Sequence, residues 1–565
     1  MATKRTSGPP KPRGRSTRKK SASPSGLSKP SAVSTELRQS GSSAQGVLWP
    51  LVPIAKATLK FSGSLTQAML GLSPQELSPK DPRFTDAAWR ENWIYRRLGQ
   101  SYMAFCQAVD EVAESTPDWR KRERAKFLGS ILTSALAPSN TLPGNPAALK
   151  RAFDTGGASV LAGTRNLLRD LIRNNGLPSQ VQPDAFKVGE TLAATPGAVV
   201  FRNEMVELLQ YRPTTTEVCE RPTLMIVPPI GKYYFMDLAP GRSFIEYAVS
   251  RGITMFVTSW RNPTAEHRHW GLDEYVQTCL DSVDAVCEIA NTNDLNVVGM
   301  CAGGILATLM LNVMTAREDE RVHSATFGVM LLDFGHASPI GAFNEPRLLT
   351  MSRRRSESKG ILPASDLSRV FAWMRPNDLV WNYWSNNYLM GKEPPIFDIL
   401  AWSVDNTNLP AKLHTQFLDM FQHNPLPGRN EMRILGEPVD LHQVEIETLV
   451  TGALTDHLTP WKGCYRATQI LGGPSTFVLS NAGHIASLVN PPGNPKATYW
   501  LGPEPGPDPD AWLASADKHT GTWWDVWAKW TLERSGPSVP ARSELGSVRY
   551  PVIAPAPGEY VLEKA

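Results

Sequence analysis

Gly299-Met300-Cys301-Ala302-Gly303-Gly304 is the stretch whose reading decides the fold. The run Leu295 to Val298 before it reads as a short buried strand, and the apolar run Ile305 to Ala316 after it reads as a helix. Cys301 therefore falls in a sharp strand-to-helix turn, where small neighbours let the helix approach the strand and let the next backbone N–H face a reacting carbonyl. A Gly-x-Cys-x-Gly match by itself more often marks a packed apolar turn, because free cysteine is among the most buried residue types. What raises it is the rest of the constellation.

Glu445 to Ala453 reads as a strand leading to Thr455-Asp456-His457, and Ser475 to Leu479 as another leading to Asn481-Ala482-Gly483-His484. An acid and a histidine thus sit just past strand ends, where the loops of an α/β sheet converge on its ligand crevice. The order Cys301, Asp456, His484 matches the nucleophile, acid, histidine order of α/β-hydrolases. A cysteine in the nucleophile slot forms a thioester, and exchange with a thioester substrate is nearly balanced in energy. The acyl group stays activated, which argues for an acyltransferase acting on thioesters.

The expected architecture is an α/β-hydrolase fold with a doubly wound, mostly parallel sheet. Strands read at Thr223–Val227, Ile253–Thr258, Leu295–Val298, Ala325–Leu332, Thr448–Gly452 and Ser475–Leu479, with helices between several of them. Val276, Leu280, Val283 and Cys287 recur at helical spacing and give an amphipathic helix leading into the nucleophile strand. The division expected is a basic tail over 1–43, a helical region over 44–197 and a catalytic domain over 198–565. Within the last, an insertion of about 338–443 is too long for a connection and reads as a cap that would keep water from an acyl-thioester. Of its aromatics Phe371, Trp373, Trp381, Tyr383, Trp384, Tyr388, Phe397 and Trp402, most would build the cap's own core and a few would line an acyl or product channel.

Charge is concentrated at one end. Residues 1–30 hold nine basic residues and no acidic one, leaving 49 basic against 54 acidic, a net of −5, for the rest of a chain whose total is +4. The tail is too poor in apolar residues to offset ordering entropy and has no apolar segment of secretory type. It reads as a solubilising extension rather than a nucleic-acid-binding arm. Six cysteines without a C-x-x-C pair exclude a disulfide framework and a zinc site, so no metal is assigned and a reducing cytoplasm follows. Residues 295–316 are long and apolar enough to imitate a membrane span, but three glycines and the nucleophile interrupt them, so no integral membrane segment is expected.

These motifs, with Pro228-Pro229-Ile230-Gly231-Lys232-Tyr233-Tyr234-Phe235-Met236-Asp237-Leu238, Asp405-Asn406-Thr407-Asn408-Leu409-Pro410, Gly521-Thr522-Trp523-Trp524 and Ala554-Pro555-Ala556-Pro557-Gly558, resemble those of polyhydroxyalkanoate synthases over roughly residues 50–565. The resemblance implies polymerisation of (R)-3-hydroxyacyl-CoA with release of CoA through acyl-Cys301 intermediates. It implies no cofactor beyond the CoA thioester substrate, a homodimer, and a cytoplasmic location on the polyester granule, with granule-associated proteins as further partners. His484 would activate Cys301, and Asp456 would orient His484 or assist the substrate hydroxyl; Asp333, with His336 nearby, is the rival acid. Ala302 N–H would serve the oxyanion hole. The family usually has one more residue between the proline pair and the Lys-aromatic pair, so Ile230 or Gly231 stands open as the second donor. Two other readings compete: a Cys-dependent hydrolase or thioesterase, and a scaffold without catalysis.

Overall fold

The computed structural model describes residues 51–565 apart from 175, 183, 184 and 337, so the basic tail of 1–43 lies outside the described residues. The sheet strands are β1 (Gly197–Arg202), β2 (Val206–Tyr211), β3 (Thr223–Ile226), β4 (Met255–Trp260), β5 (Leu295–Met300), β6 (Val322–Gly328), β7 (Glu447–Ala453), β8 (Ser475–Ser480), β9 (Thr498–Leu501), β10 (Asp517–Thr520) and β11 (Ala554–Pro555). They form one 11-stranded sheet in the order β10-β9-β8-β7-β6-β5-β3-β4-β2-β1-β11. From β8 to β4 every pairing is parallel. Antiparallel strands extend both edges.

The parallel centre follows from composition. β3, β4 and β5 are buried at every position, as strands covered by helices on both faces must be, and apart from Ser259 and Asn296 their residues are apolar or β-branched. The helix Leu272–Ala290 has Glu274 accepting the Gly271 N–H at 2.7 Å at its start and Asn291 in the left-handed conformation (φ 57°) at its end. It delivers the chain to β5.

One departure from the sequence reading has a clear cause. The strand expected over Ala325–Leu332 ends at Gly328, because Val329 takes φ 45°, a conformation costly for a β-branched residue and incompatible with a continuing strand. Its N–H bonds Thr451 O at 2.9 Å instead. The segment after His484 contributes β9, β10 and a helix, Trp523–Leu532, whose Trp523 and Trp524 are buried in the main core and donate to Ser487 O and Leu488 O at 2.7 and 2.9 Å.

Between β6 and β7 the chain makes helices Pro346–Lys359, Ala364–Met374, Asp398–Val404 and Ala411–His423, with two π-helical turns, Asn377–Trp381 and Trp384–Leu389. The N-terminal helices Trp93–Glu114, Trp119–Ala135, Pro146–Asp154 and Ala158–Arg173 bond this insertion: Trp384 Nε1 donates to Asn140 O at 3.0 Å and Arg124 Nε to Ala342 O at 3.2 Å. Trp89 and Tyr102 pack in a small separate core with Phe84, while Trp93 is mostly exposed. Among the described residues, no helix is long and apolar enough to cross a membrane.

Candidate active site

Cys301 sits between β5 and the helix Ala302–Ala316 with φ 50° and ψ −125°, a strained backbone worth about 1–3 kcal/mol that a packed turn would have no reason to keep. Its N–H bonds Gly328 O at 2.8 Å, fixing the turn to the end of β6. A Cβ on Gly303 would lie 2.3 Å from Ile226 O, so only glycine lets the helix press this closely on the β3 end. The thiol is half-buried, while Cys106, Cys279, Cys287 and Cys464 are buried; all six cysteines are free.

His484 and Asp456 reach the same place from the ends of β8 and β7. His484 Nδ1 lies 2.7 Å from Asp456 Oδ2, with both side chains shielded from solvent. That hydrogen bond commits Nδ1 and leaves Nε2 for the thiol. Burial alone would lower the His484 pKa, but the charge of Cys301, the hydrogen bond and charge of Asp456, and a hydrogen bond with Cys301 outweigh it and raise it. Burial likewise pushes Asp456 up, yet its bonds to His484 and Thr459 hold it below the ordinary carboxylate range. An imidazole held by a buried carboxylate and set beside a cysteine is the arrangement that activates a nucleophile.

Thr459 escaped the sequence reading. Its hydroxyl donates to Asp456 Oδ2 at 2.7 Å and lies 3.1 Å from His484 Nδ1, and its N–H and that of Leu458 bond Asp456 Oδ1 at 2.9 and 2.8 Å. An Asp followed by Leu and Thr at these offsets is the signature of a side-chain-capped turn, which was the available signal. Cys464 donates to Thr459 O at 3.3 Å, and burial drives its thiol well up, so it stays a thiol.

The rival acid is otherwise engaged. Asp333 accepts from Arg466 Nε at 2.6 Å and Asn424 Nδ2 at 2.8 Å, and His336, 3.0 Å away, is 55% exposed. His457 stands beside Asp456 with its Nδ1 unpartnered, and burial with the nearby Arg375 lowers its pKa to about 4. His267 Nδ1 accepts the Thr264 N–H at 2.9 Å, and its ring stacks on Trp270.

The Pro228–Leu238 loop faces the elbow from the end of β3. Gly231 has φ 92°, and a Cβ there would touch the Trp402 ring at 3.0 Å. Its N–H donates to Thr407 Oγ1 at 2.9 Å, and Trp402 Nε1 donates to Lys232 O at 2.7 Å. Trp402 and Thr407 of the insertion therefore bond the loop at Gly231 and Lys232.

Residues 80–248 match the family model of the poly-beta-hydroxybutyrate polymerase (PhaC) N-terminus, and residues 231–491 match that of the alpha/beta hydrolase fold. Poly(3-hydroxyalkanoate) polymerase 2 of Ectopseudomonas oleovorans is 46% identical over 508 residues, covering 90% of each chain. The chain belongs to the poly(3-hydroxyalkanoate) polymerase family. The polymerase subunit PhaC of Cupriavidus necator is 36% identical, covering 91% of this chain and 88% of that one. Among solved structures, a monoacylglycerol lipase from Paleococcus ferrophilus shares 12% identity at a TM-score of 0.33, covering 58% of this chain and 98% of its own. The enzyme is thus an acyltransferase that joins hydroxyacyl units into polyhydroxyalkanoate, on an α/β-hydrolase fold.

Proposed function

We propose that the polymerase grows its product on Cys301, taking (R)-3-hydroxyacyl units from CoA thioesters. His484 Nε2 accepts the thiol proton as the sulfur attacks the thioester carbonyl; the C–S bond to CoA breaks, and the CoA thiolate leaves with the proton from His484. The hydroxyl of a hydroxyacyl unit then attacks an acyl-thioester carbonyl, losing its proton to the histidine and forming the ester while a thiol is released. Asp456 holds the ring in the required tautomer and stabilises its charge. No cofactor or metal enters these steps.

The tetrahedral oxyanion is taken by the N–H of Ala302, which follows the nucleophile, and by that of Ile230. The Gly231 N–H donates to Thr407, which favours Ile230. A cytoplasmic homodimer at the granule surface fits a polymerase with an apolar product, and the exposed Leu161, Leu168 and Ile172 of an N-terminal helix support that location.

One observation carries the reading: the Asp456 and His484 side chains, 2.7 Å apart, act on a cysteine held in a strained strand-to-helix turn. The test is CoA release and polymer formation from (R)-3-hydroxybutyryl-CoA by wild type and by Cys301→Ala. Wild type is expected to yield both, and the variant neither; CoA release without polymer would favour a thioesterase.

A further inference from the structure

Lys232 lies in the loop that carries the proposed oxyanion donor, and its side chain is only 2% exposed. An ammonium has three N–H donors, and burying it is unfavourable unless each finds an acceptor. Lys232 Nζ finds Asp405 Oδ1 at 3.0 Å, Val561 O at 2.6 Å and Glu563 O at 2.9 Å. Two of its three acceptors are main-chain carbonyls of the chain's last residues.

That C-terminal segment is held by a second buried charge of opposite sign. Glu207, fully buried in β2, accepts the N–H groups of Glu559 and Tyr560 at 2.9 Å each and pairs with Arg202 at 2.6 Å. Beyond it, the Glu563 carboxylate bonds Arg261 Nε at 3.0 Å, and Lys564 reaches Asp405 at 3.2 Å. Residues 558–565 therefore form a strap, anchored by Glu207 on the sheet and ending on Lys232 and Asp405. On the loop's other side, Trp402 and Thr407 bond the 231–232 peptide. The loop is pinned from the insertion and from the C-terminus at once.

We propose that the C-terminal strap positions the oxyanion loop, with Lys232 as the positioning residue through which it acts. This rests on the assignment of Ile230 N–H to the oxyanion hole. Without residues 563–565 the ammonium loses the Glu563 carbonyl and turns outward toward water, drawing its own backbone and the neighbouring N–H away from the reacting carbonyl. Displacements of that kind slow chemistry more than they weaken substrate binding.

The test is single-turnover acylation of Cys301 by (R)-3-hydroxybutyryl-CoA in Lys232→Met, in a chain ending at Leu562, and in their combination, with rates referred to titrated active sites. Either change is expected to slow acylation about tenfold with KM held within about twofold, and the combination to be no slower than either alone. The shortened chain should unfold at nearly the wild-type temperature. Unchanged acylation in the shortened chain, or losses that multiply to about a hundredfold in the combination, would overturn the proposal. Should Lys232→Met not fold, the shortened chain alone decides. A parallel Cys301→Ala control separates the two levels: polymer from that control refutes the nucleophile itself, whatever the strap does.

Discussion

The helix Ala302–Ala316 and the helix Ala158–Arg173 are of similar length and packed by opposite rules. The first buries residues around its whole circumference, all apolar but for two glycines, Thr308 and Asn312. The second buries Ser159, Gly163, Asn166 and Asp170 and turns Leu161 and Ile172, 75% and 83% exposed, outward. Its buried face meets the insertion through directed bonds: Asn166 Nδ2 to Asn387 O at 3.1 Å and Tyr388 OH to Asp170 Oδ2 at 2.8 Å. Apolar burial fixes the elbow, the acid and the histidine in one rigid frame. A polar seam can exchange its bonds for water, so the N-terminal helices and the insertion are held in register at a smaller net gain.

Four measurements break or sharpen that contrast. Asp456→Asn leaves the apolar frame intact but removes the charge that braces His484; kcat should fall by about 10³–10⁴-fold with the far-ultraviolet circular dichroism unchanged. Gly303→Ala attacks the frame itself, because the added methyl meets Ile226 O; a loss of about 3 kcal/mol in urea unfolding is expected, with activity falling alongside.

The insertion offers a pH probe. His414 Nδ1 lies 2.9 Å from Ser356 Oγ, and burial, with Arg353 nearby, lowers its pKa to about 4. A folded-state pKa below the unfolded value gives stability that is present above about pH 6.5 and lost as pH falls through 4. Thermal unfolding of wild type should therefore drop more steeply over that interval than that of His414→Gln. Smallest is the seam: Asn166→Ala should cost about 1–2 kcal/mol, appearing as faster amide exchange in 158–173 and 384–392 while exchange in β5 and β7 is unchanged.

The same contrast explains what could be read from the chain alone. Cys301, Asp456 and His484 each follow an apolar strand, so local periodicity located them, and chain order joined them. The parallel strands were legible for the same reason, save where Val329 turns to positive φ and ends β6 early. Thr459 was within reach, as a hydroxyl three residues beyond Asp456. Thr407 on Gly231, Trp402 on Lys232 and the strap on Lys232 were not, since each rests on one or two hydrogen bonds between residues more than 160 positions apart, and no periodicity encodes them. The inverted face of Ala158–Arg173 misleads any reading that sends leucines inward.

The central claim is that the growing ester is carried on the Cys301 sulfur. Wild type quenched in acid during turnover with (R)-3-hydroxybutyryl-CoA, then digested for mass spectrometry, should give a Cys301 peptide bearing a ladder of hydroxybutyryl masses. An unmodified Cys301 peptide during active polymerisation, or the ladder on another residue, would contradict it.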